Sequence, residues 1–379
     1  MPLSAEKRKQ IKKLKDKFIK DNKLDPETIK MGFLNEDPTI GVIDRLPTGI
    51  IAFDVVTNGG FAKGKINQIF GGESAGKSTL FQRAMGNWQQ ANPDYFTAYL
   101  PSEKSFDREW AIANGCDPDM LWIFEALNAE MNLDFCMKCA LPENGVDCLI
   151  IDTLQALASV KEVYKKSGGK ITKTEKSVES DSMALLPRLY SQFLRMYTSR
   201  SVDNLTLILA SQVRTDLAPM ANGAKRATGG NAIGHYNVLS VKMTRTGKTD
   251  WPTSEIPPNS YPGKFVIDKS KLKDRYKGNE LPFYFYKGSF DHNFNVVALA
   301  KKLEIFDGKK YIMSTGEEIT SRGFNDFFDN KATPEVIADM EARLMPTYTE
   351  LVMGYAPKVI TEDIEDADGE IESEGQLEE

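Results

Sequence analysis

Five short apolar runs recur along the chain: Lys65–Phe70, Asp94–Pro101, Leu121–Ala126, Val146–Thr153 and Leu205–Gln212. None shows the apolar–polar alternation of a half-exposed strand. Continuous runs of this kind predict strands buried on both faces, as in a parallel sheet. Between them the apolar positions fall at helical spacing. Leu80, Phe81, Ala84, Met85 and Trp88 form one stripe, and Leu185, Leu186, Leu189, Phe193 and Met196 form another within Asp181–Arg200. Asp107–Gly115 and Met131–Leu141 also read as helices. Strands alternating with amphipathic helices predict an α/β fold with a mainly parallel central sheet. From Leu239 the pattern changes. Leu239–Arg245, Lys264–Lys271 and Leu281–Lys287 follow one another without helices and predict antiparallel strands added at the sheet edge.

The same pattern predicts the domain plan. An N-terminal basic helix and linker (1–45) precede the α/β core (46–290). A small C-terminal domain (291–360) follows, with a helix near Pro334–Leu344. A disordered acidic tail (361–379) ends the chain. At 379 residues, 41% of them hydrophobic, the chain can bury a large core. It has no run of about 18 apolar residues, which argues against a membrane span. Its charged start lacks the apolar stretch of a signal peptide. Four cysteines are sparse for this length, and a reducing cytoplasm is expected. Cys136 and Cys139 form a lone C-x-x-C with no second ligand pair, so they are expected to be two buried residues one helical turn apart.

Charge is polarised. Thr361–Glu379 carries ten Asp/Glu and no Lys/Arg, leaving 44 acidic against 48 basic residues in the body before it. Such a tail can compete with a polyanionic ligand for basic surface. Lys7–Lys20 holds eight Lys/Arg and one Asp, with Ile11, Leu14 and Phe18 on one stripe, so this helix is expected to dock onto something. Two further basic segments follow strands. Val160–Ser180 carries Lys161, Lys165, Lys166, Lys170, Lys173 and Lys176. Arg214–Gly230 carries Arg214, Lys225 and Arg226. Both are expected at the carboxyl edge of the sheet, where open α/β folds bind ligands.

Gly71-Gly72-Glu73-Ser74-Ala75-Gly76-Lys77-Ser78-Thr79 reads G-x-x-x-x-G-K-S between a strand and a helix. Backbone N–H groups of such a loop cradle a polyphosphate at the positive end of the helix. Lys77 supplies a mobile cation for the β- and γ-phosphates, and the Ser78 hydroxyl is a hard ligand for Mg²⁺. Val146–Asp152 is an apolar strand ending in an acid, which fits a second metal-holding group. Glu103 follows a strand expected to neighbour the phosphate loop, and is a candidate general base. Gln212 ends the strand before the second basic segment and could sense the γ-phosphate there.

Read in order, these motifs resemble the RecA recombinases, including their phage UvsX-type relatives. The resemblance spans roughly 44–306. It rests on Leu46-Pro47-Thr48-Gly49 with Phe53-Asp54, Gly71–Thr79, Glu103 with Asp107, Cys148–Thr153, Leu207–Arg214, Thr228-Gly229-Gly230-Asn231-Ala232 and Lys269-Ser270-Lys271. It implies a RecA-like P-loop NTPase core that binds ATP and Mg²⁺. Glu103 would activate water, Ser78 and Asp152 would hold the metal, and Asp107 and Trp110 would hold adenine. Gln212 would link ATP to the DNA loops. Lys269 and Lys271 would reach ATP on a neighbouring subunit. The DNA loops would use Lys165, Lys166, Lys170 and Lys173, then Arg214, Met220, Lys225, Arg226, Thr228, Gly229, Gly230 and Asn231. Met220, beside Ala221, stands where an aromatic wedge is common in the family. The implied activity is DNA-dependent ATP hydrolysis by a helical homo-oligomeric filament on single-stranded DNA, which pairs with duplex DNA and exchanges strands. Single-strand-binding and mediator proteins would be partners, in a bacterial or phage-infected cytoplasm. A hexameric motor of the same fold and a nucleotide-gated regulator are the alternatives.

Overall fold

The computed structural model of the chain describes residues 3–23, 30–37, 40–167, 170–175, 185–200, 205–215, 225–227, 231–273 and 275–353. The principal strands are β1 (Ile66–Gly71), β2 (Thr97–Pro101), β3 (Leu121–Ile123), β4 (Cys148–Asp152), β5 (Thr206–Thr215), β6 (Leu239–Arg245), β7 (Tyr261–Ser270) and β8 (Glu280–Phe285). They form one sheet in the order β8-β7-β6-β1-β5-β4-β2-β3. Strands β6 to β3 are parallel, and β7 and β8 are antiparallel additions. The α/β expectation therefore holds.

The principal helices are α1 (Ala5–Asp21), α2 (Ile51–Thr57), α3 (Lys77–Ala91), α4 (Arg108–Ala113), α5 (Ala129–Cys139), α6 (Leu185–Arg200), α7 (Asn231–Tyr236), α8 (His292–Lys302), α9 (Phe324–Asn330) and α10 (Pro334–Met353). Two apolar layers sandwich the sheet. Ile150, Ile208 and Ala210 pack with α2, α3, α8 and α10 on one face. Leu149, Ile151, Leu207 and Leu209 pack with α5 and α6 on the other. The two-residue alternation of a strand produces this split. Each fully buried Leu or Ile contributes about 1.5–3 kcal/mol, so the central strands are the most firmly held part of the frame. Cys136 and Cys139 are buried on α5.

Asp54 on α2 ties the turn before it. It accepts from Thr48 N (2.8 Å), Thr48 Oγ1 (2.9 Å) and Gly49 N (3.0 Å). Burial pushes its carboxyl up to about 7 against the pull of these donors. The indole of Trp88 on α3 donates to Pro47 O at 2.6 Å. The Leu46–Gly49 motif thus braces α3, the helix behind the phosphate loop.

Three expectations need correction. Leu239–Arg245 is parallel to β1 rather than antiparallel, because the chain crosses back through α7 before entering it. An apolar run carries no direction, so its pattern left this open. The strand before Glu103 does not neighbour the phosphate-loop strand: β5 and β4 lie between β2 and β1. The helix begun at Pro334 runs past Leu344 to Met353, through Pro346. An interior proline costs about 3 kcal/mol. Contacts beyond it offset that cost: Tyr348 and Thr349 are buried, Tyr348 OH donates to Glu280 O, and Arg275 donates to Thr349 Oγ1.

Helix α1 is capped by Ser4 and has no buried residue. Arg8 and Lys12 pair with Glu36, and Arg8 sits over the Phe33 ring. Between them lies an open groove of about 560 Å³ bordered by Ile11, Leu14, Phe18, Met31 and Phe33. The acidic tail, 361–379, lies outside the described residues. No helix among the described residues is long and apolar enough to cross a membrane.

Candidate nucleotide site

The phosphate loop leaves β1 and turns into α3. Gly71 lies against β6: a Cβ there would stand 2.2 Å from Met243 O. Gly76 has φ +97 and precedes the first turn of α3, and a Cβ there would press on Met243 and Tyr261. Both positions therefore favour glycine.

The Lys77 ammonium is folded onto the loop, donating to Gly72 O (2.9 Å) and Gly71 O (3.3 Å). Burial lowers its pKa, opposed by Asp152, Glu103 and Glu73. The Ser78 hydroxyl donates to Asp152 Oδ2 at 2.6 Å, and Tyr99 OH donates to the same oxygen at 2.7 Å. Burial raises the Asp152 pKa, while the Ser78 and Tyr99 hydrogen bonds and Lys77 pull it down. A hydroxyl and a carboxylate in contact, both hard oxygens beside a phosphate cradle, suit Mg²⁺, which keeps its remaining positions for phosphate and water.

Glu103 reaches this group from β2. Its Oε1 accepts from Thr153 Oγ1 (2.9 Å), next to Asp152, and from Gln212 Nε2 (3.1 Å) on β5. Gln212 N donates to Gln155 Oε1 at 3.4 Å. Asp107 caps α4, accepting from Trp110 N at 3.0 Å. Trp110 is half-exposed, and its indole N–H donates to Thr79 Oγ1 at 3.2 Å, which holds the ring beside the first turn of α3. Lys77, Ser78, Asp152, Glu103, Gln212, Asp107 and Trp110 therefore gather at the carboxyl edge of the parallel strands.

Lys269 and Lys271 do not join them. Ser270 pairs with Leu239, which pairs with Asn67, about 13 Å back along β1 from Gly71. Lys269 Nζ donates to Asn237 O (2.9 Å), Asn237 Oδ1 (3.0 Å) and Gly234 O, and Lys271 Nζ donates to His235 O (3.2 Å). Both cap the carboxyl end of α7, where cations are favoured. Burial, then Lys271, lowers the Lys269 pKa.

Among the described residues, both basic segments contain regular secondary structure. The first contains a short helix, Val160–Val163, and an antiparallel hairpin, Tyr164–Ser167 with Lys170–Glu175. Lys165, Lys166, Lys170 and Lys173 lie on its strands. The second begins as an extension of β5 that pairs with Lys225–Ala227, Arg226 opposite Arg214. Asn231 opens α7. Met220, Thr228, Gly229 and Gly230 lie outside the described residues.

Sequence reasoning missed Tyr99, Thr153 and Gln155 as supports of the site. Tyr99 is two residues before the end of β2, on the face that carries Asp152. Only the β2–β4 register, Pro101 opposite Asp152, makes that visible.

The RecA N-terminal domain family matches residues 22–289. Among curated relatives, the chain is 29% identical over 304 residues to "Protein RecA" of Bacteroides thetaiotaomicron, covering 80% of this chain and 85% of that protein. It is 27% identical over 305 residues to "Protein RecA" of Porphyromonas gingivalis, with 80% and 83% covered. It is 29% identical over 263 residues to that of Borrelia hermsii, with 69% and 68% covered.

Proposed function

Because this chain belongs to the RecA family, we propose that it is an ATP-dependent recombination protein that assembles on single-stranded DNA and promotes pairing and strand exchange with duplex DNA. The observation that carries this reading is the shared oxygen of Glu103. One carboxylate contacts both Thr153, beside the candidate metal-holding Asp152, and Gln212, at the head of the second basic segment. The hydrolytic group and the DNA segment are thereby mechanically joined.

In this reading the loop Gly71–Thr79 cradles the phosphates of ATP, and Lys77 leaves its loop carbonyls for the β- and γ-oxygens. Ser78 and Asp152 would hold Mg²⁺, which neutralises phosphate charge when bound. Oε2 of Glu103 takes the proton of the attacking water. Trp110 stacks on adenine and Asp107 accepts from it. The γ-phosphate draws Gln212, and β5 carries that displacement into the Arg214–Gly230 segment. Basic groups there and in Val160–Ser180 contact phosphates, so affinity falls steeply with salt. Helix α1 packs on an adjoining protomer through its apolar stripe. Lys269 and Lys271 reach the nucleotide of a neighbour.

The test is ATP turnover with and without single-stranded DNA, paired with DNA affinity in a non-hydrolysable ATP analogue, in ADP and without nucleotide. Stimulated turnover and tightest binding with the analogue are expected, with open helical filaments by electron microscopy. Equal DNA affinity in all three states rejects the reading.

A further inference from the structure

We propose that Gln68 is a positioning residue whose buried amide ties together both stems of the 216–230 segment and, through Asn237, aims the Lys269 ammonium. This rests on the DNA-coupled ATPase reading above and names how that site is regulated.

The contacts form a file across the sheet. Lys269 Nζ donates to Asn237 Oδ1 at 3.0 Å. Asn237 Nδ2 donates to Gln68 Oε1 at 3.0 Å, and the Ser240 hydroxyl donates to the same oxygen at 3.3 Å. Gln68 Nε2 donates to Ser211 Oγ at 3.1 Å. Gln68, Asn237, Ser240 and Ser211 are all buried, with at most 4% of any of them exposed.

The file has a forced direction. An ammonium only donates, so Asn237 must turn its oxygen to Lys269. Its amide N–H₂ then faces Gln68, which must answer with its own oxygen. The Gln68 N–H₂ is left for Ser211. Reversing either amide would set donor against donor among buried side chains, leaving polar groups unpaired. One lysine charge thus orders a chain of amides that ends beside Gln212.

Its anchor points give it a role. Ser211 immediately precedes Gln212 on β5, the strand by which the chain enters the 216–230 segment. Asn237 directly follows α7, by which the chain returns. Both stems hang on one side chain of the central strand β1. A displacement of β5 at Gln212 loads the Ser211 contact, and the buried file passes it to Asn237 and so to Lys269. Loop state and the cation offered to a neighbouring subunit then change together.

Gln68→Met keeps length and volume but removes every hydrogen bond of the amide. In Gln68→Glu one carboxylate oxygen accepts from Asn237 and Ser240, and the other from the Ser211 hydroxyl. The full chain is assayed for stimulation of ATP turnover by single-stranded DNA, and for nucleotide affinity without DNA. Gln68→Met should lose about tenfold of the stimulation while nucleotide affinity stays within about twofold, and Gln68→Glu should recover most of it. Should Gln68→Met not fold, Ser211→Ala, which removes the far acceptor, carries the same expectation. Wild-type stimulation in Gln68→Met overturns the inference alone. So does a parallel loss of DNA-free nucleotide binding, which marks a core defect. Absence of stimulation in the unsubstituted protein overturns the ATPase reading and this inference with it.

Discussion

The two ends of the parallel sheet hold their lysines differently. At the carboxyl edge, Lys77 lies within one cluster with Ser78, Asp152 and Glu103, and burial lowers its pKa while those acids oppose the shift. At the opposite edge, Lys269 and Lys271 rest on carbonyls at the end of α7, away from their own phosphate loop. In the function proposed above, the first lysine serves a ligand bound to its own chain. The second pair would, in that function, leave these helix carbonyls for a phosphate presented by a neighbour. An anion adds a Coulombic attraction that a neutral carbonyl lacks, so a phosphate supplied by a neighbour would compete for both ammonium groups.

The hardest test of this contrast is Lys77→Ala. It should lower ATP turnover at least about a thousandfold, near the upper part of what a positioned charge contributes. Phosphate release at the unsubstituted rate would remove the carboxyl-edge site. Glu103→Gln should lower turnover by about a hundredfold or more, the scale of a lost general base, while nucleotide binding persists. Unchanged hydrolysis would assign water activation elsewhere. The contrast itself is sharpened by mixing Lys77→Ala protein with Lys269→Ala protein. If the two lysines serve different chains, some interfaces in the mixture are intact, and turnover should exceed the sum of the separate proteins several-fold, about the scale of an intersubunit coupling. Turnover equal to that sum places both lysines on one chain.

The smallest effect lies away from both edges. His292 on α8 contacts Glu341 on α10 at 3.0 Å, which raises the histidine pKa and lowers that of the glutamate. A raised histidine pKa gives stabilisation that is full below its ordinary value near 6.5 and is lost as pH climbs through the raised value. Both groups are about a third or more exposed, so solvent screening keeps the effect under about 1 kcal/mol. His292→Ala should flatten the melting temperature against pH across that window and leave turnover unchanged. A pH slope identical to that of the parent would remove the pair from the stability of the C-terminal region.

How far the sequence could be read follows from how local each feature is. The phosphate loop was legible because strand, glycines, lysine and helix are contiguous, and each residue type answers a need of the loop itself. Asp152 and Glu103 were legible as strand-end acids. Their contacts were not, since Tyr99 and Gln212 come from other strands, and no single segment encodes the order and register that bring them to Asp152 and Glu103. The helix was expected near Pro334–Leu344, and the buried contacts of Tyr348 and Thr349 that carry it through Pro346 are made with residues distant in the chain. The file through Gln68 and Asn237 was not legible, because such a hydrogen-bond file exists only when four strands are assembled.

By itself, then, the amino-acid order determined the alternating α/β frame, the nucleotide loop and the placement of basic segments after particular strands. These depend on periodicity and on backbone freedom, which are short-range properties. Tertiary structure alone decided the parallel course of β6, the meeting of Glu103 with Gln212, and the distance of Lys269 from its own loop. Each of those is a matter of strand order, and hydrogen bonding between strands is indifferent to how far apart they lie in sequence.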